Sequence, residues 1–146
     1  MEARLAVFSR RSGVLRVNNI SELFYSAEVL AKQPRPKGPK LTILTNAGGP
    51  GVMTTDAIGD SDLKLASFTE ETLDALSEAM PDEANIYNPI DAIGDADIDR
   101  FRTALDIALA DDNVGAAVVL SAPTAVLDYG ELAEMVGELQ GEYGKP

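Results

Sequence analysis

The sequence predicts an α/β fold in which helices cover both faces of a parallel sheet. The first observation is that short apolar runs alternate with amphipathic segments of about 10–15 residues, the pattern typical of successive strand-helix units. The second is the continuous apolar run 114–120, which is bounded by turn residues and is typical of a strand buried on both faces. The third is the strand pattern of residues 40–46, built on the apolar run 41–44, which leads through a glycine-rich loop into a helical pattern.

The remaining elements follow from helix start and stop signals. Residues 1–12 predict a short helical tail that stops at Gly13, and the domain itself is expected to span 13–146. Two further strands are predicted, at 14–17 and 63–65. Two helices are predicted in the first half of the chain, one from Ser21 to the proline-rich loop and one from Gly51 to Ile58. Three more follow: one from a Thr69 cap to Met80, one from an Asp95–Asp97 cap to Leu109, and one from just after Thr124 to Leu139. Residues 142–146 resemble the turn before a further strand, so the sheet is expected to be cut short at its carboxy-terminal end.

Composition excludes several kinds of site and partner. The 146 residues suffice for one domain, and the absence of cysteine and histidine excludes disulfides, thiolate metal sites, cysteine nucleophiles and histidine bases. A net charge of −12 opposes binding to nucleic acid and anionic membranes. The only basic cluster, 32–40, contains three prolines and no aromatic residue, so we interpret it as a solvated linker. No signal peptide or membrane span is visible, which predicts a cytoplasmic protein.

Residues 46–51 form the first candidate site, because ligands of open α/β sheets bind where strands lead into helices. The glycines Gly48, Gly49 and Gly51 would let an anion approach main-chain amides without meeting a Cβ atom. The spacing matches neither the dinucleotide-binding nor the Walker pattern. A compact strand-to-helix turn explains the same glycines equally well, so both interpretations stay open.

Two further loops are expected at the same edge of the sheet. Ser121 and Thr124 would place hydroxyls beside free amides at a helix start, although their residue types alone favour a plain helix cap. Asp91, which follows Asn88 and Pro89, could face the same cleft, although a solvated turn is the simpler interpretation. No metal site is predicted, because the alternating aspartates 95, 97 and 99 lack the glycine and glutamate of a calcium loop.

Four stretches together resemble the ADP-forming acyl-CoA synthetases in their order and spacing. These are residues 13–24 (GVLRVNNISELF), 41–52 (LTILTNAGGPGV), 88–91 (NPID) and 94–97 (GDAD). The resemblance runs from Phe8 to Pro146 and is to the flavodoxin-like ligase domain in the α part of those enzymes. The chain is also similar to the carboxy-terminal domain of the succinyl-CoA synthetase β subunit. The resemblance implies a three-layer, succinyl-CoA synthetase-type fold.

The resemblance also implies an activity and a site. In that family acyl-CoA, ADP and phosphate are interconverted with carboxylate, CoA and ATP through an acyl phosphate and a phosphorylated histidine. Two helix amino ends hold the phosphoryl group, which main-chain amide dipoles can stabilise without accepting a proton. The expected phosphate- or acyl-binding residues are Asn46, Gly48, Gly49, Gly51, Asn88, Asp91, Ser121 and Thr124. No catalytic residue is expected in this chain, because the family's histidine lies upstream of the domain.

The expected partners are the other parts of such an enzyme, namely its CoA-binding, phosphohistidine and ATP-grasp domains. The parent enzyme would use CoA, ATP or ADP and Mg²⁺, whereas this chain would hold no cofactor tightly and would not turn over alone. An alternative is a non-catalytic regulatory or docking domain in a synthetase-like region fused to a protein acetyltransferase. A free-standing FMN-binding protein is a weaker alternative, because the first loop lacks a Ser/Thr-rich cradle and only 5% of residues are aromatic.

Overall fold

The computed structural model describes residues 13–146. The predicted helical tail, residues 1–12, lies outside the described residues. The chain divides into two compact units, residues 1–34 and 35–146, which are described separately.

The described part of the first unit contains one helix, α1 (Ile20–Lys32). Asn19 caps it by accepting a hydrogen bond from the Glu22 N–H at 2.8 Å. The strand predicted at 14–17 is wrong, because the structure gives these residues no strand pairing. Val14 and Leu15 are instead 59% and 60% exposed.

The second unit is built on a four-stranded parallel sheet, which confirms the predicted fold class. Its strands are β1 (Lys40–Thr45), β2 (Lys64–Leu65), β3 (Ile90–Asp91) and β4 (Ala116–Leu120). One edge of β1 pairs with β4 along most of its length. The other edge is shared, with β2 paired at its amino end and β3 at its carboxyl end.

The side chain of Asn88 fills the gap between β2 and β3 along that shared edge. Its Oδ1 accepts the Ile43 N–H at 3.0 Å, and its Nδ2 donates to the carbonyls of Leu41 and Ala66 at 2.8 and 3.1 Å. The peptide bond between Asn88 and Pro89 is cis. These three hydrogen bonds supply partners to main-chain groups that would otherwise stay unpaired in the gap between the two short strands.

Four helices complete the unit: α2 (Gly48–Gly59), α3 (Glu70–Ala79), α4 (Ile98–Ala110) and α5 (Tyr129–Tyr143). The predicted caps of α3 and α4 are confirmed, since Thr69 and Asp97 accept the N–H groups of residues three positions later. Two predicted starts are wrong. The first turn of α2 already contains the glycines, and α5 begins at Tyr129 rather than directly after Thr124.

Alternate residues of β1 enter two hydrophobic clusters on opposite faces of the sheet. Leu44 belongs to the larger cluster, which includes Leu76 of α3, Phe101 of α4 and Met135 of α5. Leu41 and Ile43 belong to the smaller cluster, with Ile58 of α2. Successive strand residues point to opposite faces, so helices lie on both sides of the sheet and the unit has three layers.

The end of α5 is tied to α4 and to the sheet edge. Gly144 ends the helix in the left-handed conformation, with φ of 59°. The buried Lys145 ammonium donates to the carbonyls of Leu109 and Asp111 at 2.6 and 2.9 Å, and burial lowers its pKa. The Pro146 carbonyl accepts the N–H of Ala117 at 2.8 Å, so the predicted turn leads the chain back to the edge of β4.

Candidate functional site

The carboxyl ends of β1 and β4 bring the first and third predicted loops side by side. Asn46 follows β1 and is only 3% exposed. Its Oδ1 accepts the Ala122 N–H at 2.8 Å, and its Nδ2 donates to the Ala122 carbonyl at 3.2 Å. This reciprocal pair holds the glycine loop against the loop that follows β4.

The amino end of α2 lacks a side-chain cap. Its N-cap residue is Ala47, which has no side chain able to accept a hydrogen bond. Thr45 shapes the turn instead, because its Oγ1 accepts the Ala47 N–H at 3.1 Å and donates to the Ala47 carbonyl at 3.0 Å. Within residues 13–146, no hydrogen-bond partner is found for the amides of Gly48 and Gly49. These two N–H groups and the helix dipole create positive potential at this end.

The three glycines of the loop differ in what surrounds them. A Cβ atom on Gly51 would lie 3.3 Å from Thr45 Cγ2, a tight contact, so close packing of α2 on β1 favours glycine there. A Cβ on Gly48 would lie 3.3 Å from Asp91 Oδ2. A Cβ on Gly49 would meet nothing within 4 Å, and its φ is not in the left-handed region. Packing and backbone conformation therefore do not explain Gly49, although glycine is a poor helix former.

Asp91, at the end of β3, places a carboxylate beside the amino end of α2. One oxygen, Oδ1, accepts the N–H of Ile93 at 3.0 Å, and the other lies against Gly48. Ile93 has φ of 60°, a left-handed conformation that is unusual for a β-branched residue. Such strain is commonly found in functional sites, where surrounding contacts hold the backbone in place.

The third loop does not present a helix amino end, so that part of the prediction is wrong. Asp128 caps α5, and its Oδ1 accepts the N–H groups of Gly130 and Glu131 at 2.7 and 3.1 Å. Ser121 Oγ donates to the Ala122 carbonyl at 3.3 Å. Thr124 Oγ1 is buried and has no hydrogen-bond partner in the part of the chain that the structure describes. A buried hydroxyl without a partner is unfavourable, and a ligand could reach this one only after the loop that carries it moves.

Asn88, which was also predicted to bind the ligand, has all three of its hydrogen bonds directed at the sheet. We therefore leave it out of the proposed site. Sequence reasoning missed two residues that shape this edge, Thr45 and Asp128. Asp128 had a readable signal, because it precedes Glu131 by three residues in the manner of a capping box.

The described residues contain no group of three or more acidic, histidine or cysteine side chains arranged to hold a metal ion. None of the helices in residues 13–146 is both long and apolar enough to span a membrane.

Comparison with known proteins identifies the relatives of this chain. The Ligase-CoA domain family matches residues 41–144. The chain is 44% identical to the ADP-forming acetate–CoA ligase I of Archaeoglobus fulgidus over 135 residues, which cover 92% of this chain and 19% of that enzyme. It is 37% identical to the ADP-forming 4-hydroxybutyrate–CoA ligase of Nitrosopumilus maritimus, over 93% of this chain and 19% of that enzyme.

A solved structure agrees with these matches. The dinucleotide-forming acetyl-coenzyme A synthetase 1 of Ca. Korarchaeum cryptofilum, in complex with phosphate and ADP, superimposes with a TM-score of 0.87 and 31% identity. The superposition covers 99% of this chain and 32% of the synthetase. The chain thus spans a fifth to a third of the length of these relatives, and the resemblance predicted from its motifs is confirmed. It belongs to the Ligase-CoA domain family, which occurs in ADP-forming acyl-CoA synthetases.

Proposed function

We propose that this chain serves as the Ligase-CoA domain of an ADP-forming acyl-CoA synthetase and that the amino end of α2 holds a phosphoryl group during the reaction. The observation that carries the proposal is the pair of unpartnered amides at Gly48 and Gly49 in an uncapped helix start. Open space around the Cβ position of Gly49 leaves its amide within reach of an anion.

The reaction would be acyl-CoA + ADP + phosphate ⇌ carboxylate + CoA + ATP. The chain contains no histidine, so the histidine that carries the phosphoryl group would come from another domain. The chain's own contribution is electrostatic, because fixed N–H groups stabilise a migrating phosphoryl without accepting a proton. For this reason the 146 residues alone are expected to show no turnover.

Three side chains would complete the phosphoryl site. Asn46 fixes the distance between the two loops, and the Thr124 hydroxyl would become a donor once the loop after β4 opens to expose it. Ser121 lies in the same loop, with its hydroxyl turned towards a main-chain carbonyl. The two amides, together with the Thr124 hydroxyl once it is exposed, would form a set suited to phosphate or acyl phosphate oxygens.

Asp91 adds a requirement to this site. Its Oδ2 lies beside Gly48, so a bound phosphoryl group would bring about two negative charges close to a carboxylate. Magnesium, which prefers carboxylate and phosphate oxygens, would relieve that repulsion. Asp91 would then share such an ion with the bound phosphoryl group.

The partners would be the CoA-binding, phosphohistidine and ATP-grasp domains or subunits of the synthetase, which would bind CoA and ATP or ADP. Apolar side chains flank the site and are exposed to solvent, as expected where another domain closes over it. These are Val52 at 61%, Met53 at 73%, Val126 at 54% and Tyr129 at 46%. Because the reaction uses cellular CoA and ATP, we expect the protein in the cytoplasm.

The ligase hypothesis is favoured over a regulatory domain fused to an acetyltransferase by the names of the two curated relatives, both ADP-forming ligases. Those two names specify different acids, acetate and 4-hydroxybutyrate. The acyl group is therefore left unspecified in this proposal.

The test uses an intact synthetase that carries this chain as its Ligase-CoA domain, in three forms: unchanged, Gly49→Ala and Gly59→Ala. Both glycines lie in α2 with open space around a Cβ atom, so neither substitution should disturb the fold. A methyl group at 49 would hold the phosphoryl away from its amide, and we expect ATP formation from acyl-CoA to fall by about tenfold or more. Gly59→Ala, at the far end of the helix, should keep the full rate. Equal rates for all three forms would contradict the proposal.

A further inference from the structure

The carboxylate of Asp91 is a fixed negative charge beside the amino end of α2. Its main chain is held on both sides, because Asp91 pairs with Thr45 in the sheet and exchanges two hydrogen bonds with Asn85, at 2.9 and 3.1 Å. The Ile93 N–H holds one of its side-chain oxygens, Oδ1, at 3.0 Å. These contacts leave the side chain little freedom to turn away from an anion that arrives at α2.

The loop that follows Asp91 is tied down as well. The Ala92 N–H donates to the Thr45 carbonyl at 2.7 Å, and Ala92 is fully buried. Arg100 Nη1 donates to the Ala92 carbonyl at 3.1 Å. Ile93, whose N–H holds the carboxylate, adopts the left-handed conformation, with φ of 60°, which is unfavourable for a β-branched residue. The surrounding contacts therefore maintain local strain at the residue that fixes this charge.

Asp91 lies beside the amides of α2 without using them. Its second oxygen, Oδ2, is 3.3 Å from the position that a Cβ atom on Gly48 would take. Within residues 13–146, no hydrogen bond joins this oxygen to the N–H of Gly48 or Gly49. By contrast, Asp128 caps α5 by accepting two of its amides. The Asp91 carboxylate therefore acts on the end of α2 through its charge, and it leaves both amides open to a ligand.

We propose that Asp91 sets the charge selectivity of the α2 site, by weakening its hold on anions in proportion to the charge that they carry. This inference rests on the proposed function, because it concerns the same phosphoryl site. A carboxylate held near a bound anion raises the free energy of that anion by an amount that scales with the product of the two charges. A dianion is therefore repelled about twice as strongly as a monoanion in the same position.

A limited affinity suits a site that has to pass its ligand on. The amides of Gly48 and Gly49 and the dipole of α2 attract a phosphoryl group, whereas Asp91 limits how tightly that group is kept. Tight binding of a ground state does not speed up the step that follows. The fixed carboxylate would thus keep the phosphoryl group from being trapped at the helix end.

The test uses three forms of the 146-residue chain: native, Asp91→Asn and Asp60→Asn. Asparagine has nearly the same shape as aspartate and keeps an oxygen for the Ile93 N–H, so the loop should retain its structure. Asp60 is exposed at the other end of α2. Its neutralisation changes the net charge by the same amount, so Asp60→Asn is the matched control.

Two probes separate charge from shape. Sulfate and methyl sulfate both present tetrahedral oxygens, but sulfate carries two negative charges and methyl sulfate one. Each form of the chain is titrated with each probe at constant ionic strength, in a buffer free of divalent cations. The Kd is obtained from the amide resonances of Gly48 and Gly49.

We expect Asp91→Asn to lower the Kd for sulfate by about tenfold and the Kd for methyl sulfate by about threefold, because the repulsion that is removed scales with the charge of the anion. Asp60→Asn should keep both Kd values within about twofold of the native chain, because its charge is distant and screened. Unchanged or higher Kd values in Asp91→Asn would overturn the inference. Equal gains for the two probes would also overturn it, since they would assign the effect to the new amide donor. So would equal gains in Asp60→Asn, which would assign the effect to net charge.

A second variant covers the case in which Asp91→Asn does not fold. Asp91→Ser also removes the charge, and a serine hydroxyl can accept the N–H two residues later in the same kind of turn. It should give the same larger gain for sulfate than for methyl sulfate, and equal gains would again overturn the inference.

The same titrations separate this inference from the proposed function. Absence of saturable shifts at Gly48 and Gly49 in every form would contradict the proposed function. Saturable shifts with the same Kd in the native chain and in Asp91→Asn would leave the proposed function standing and would overturn this inference only.

Discussion

At the scale of single residues, Asn46 links the fold to the site. It was predicted as a ligand, but the structure uses both ends of its amide to hold Ala122. The glycine loop and the loop after β4 are neighbours through this pair. Asn46 would therefore act on a bound phosphoryl group indirectly, by holding the glycine loop and the loop after β4 in position.

We predict that Asn46→Ala destabilises the chain by about 1–3 kcal/mol, because it leaves the Ala122 N–H and carbonyl without partners in a part-buried place. Asn46→Asp is the matched comparison, because a carboxylate still accepts from the Ala122 N–H but offers no donor to its carbonyl. The free energy of unfolding, measured by urea denaturation, should be highest for the native chain, lower for Asn46→Asp and lowest for Asn46→Ala. An alanine variant as stable as the native chain would show that the clamp contributes nothing.

At Thr42 we predict a substitution that increases the stability of the chain. It is fully buried in the central strand, and its Oγ1 lacks a hydrogen-bond partner within residues 13–146. Valine has nearly the same shape without the hydroxyl, so Thr42→Val should raise the free energy of unfolding by about 1 kcal/mol. Urea denaturation of the two proteins measures the difference. A loss of stability would mean that the hydroxyl has a partner, such as a buried water molecule.

The glycines of the first loop have different surroundings, which their sequence pattern alone did not distinguish. The sequence left two interpretations open, a compact turn and an anion-binding loop. The structure favours the first for Gly51, because a Cβ atom there would be in tight contact with Thr45. It leaves Gly49 without that explanation. The distinction depends on how closely α2 packs on β1, and the residue types of the loop alone do not give that distance.

At the scale of elements, Asp111 joins the end of α4 to the start of α3. Its carboxylate accepts the N–H of Thr69 at 2.8 Å and of Asn113 at 2.7 Å. Burial by itself would raise the pKa of Asp111, but these hydrogen bonds outweigh burial and lower the pKa below its usual range. The ionised form is therefore favoured in the folded state.

A lowered pKa in the folded state has a defined consequence for stability. The contribution of Asp111 is fully present above the unfolded value of about 3.9 and is lost as the pH falls through the folded value. We predict that Asp111→Asn lowers the free energy of unfolding at pH 7 by about 1–3 kcal/mol. The NH₂ group of the asparagine would face either the Thr69 N–H or the Asn113 N–H, and two donors cannot form a hydrogen bond. The difference from the native chain should shrink at pH 3. A difference that is constant with pH would contradict a role for the charge.

The elements that were predicted correctly carry their own signals. Helices α3 and α4 have Thr or Asp caps and regular apolar spacing, β4 is a continuous apolar run, and β1 carries Leu41, Ile43 and Leu44 just before the glycine loop. Strand β3 has only two residues, and the side chain of Asn88 supports the sheet edge beside it through contacts more than 20 residues away in sequence. No local pattern encodes such a strand. The strand expected at 14–17 has a suitable pattern but no neighbour among the described residues.

At the scale of the whole molecule, the alternation of strands and helices predicted the parallel sheet, and four motifs predicted the family. The spatial order of the strands was not predictable from either. Two strands, β2 and β3, share one edge of β1, and this arrangement brings Asp91 to the amino end of α2. The sequence therefore predicted only part of the candidate site. Its loops were identified from residue type, but the helix end with unpartnered amides belongs to the first loop and not to the third.

The central claim, that the amino end of α2 is an anion site, is tested most directly by titrating phosphate into the isotopically labelled 146-residue chain at constant ionic strength and following its amide resonances. The account predicts saturable shifts that are largest at Gly48 and Gly49 and much smaller at Gly130 and Glu131, whose amides Asp128 already occupies. Shifts that are absent at Gly48 and Gly49, or that appear equally at the amino end of α5, would contradict it.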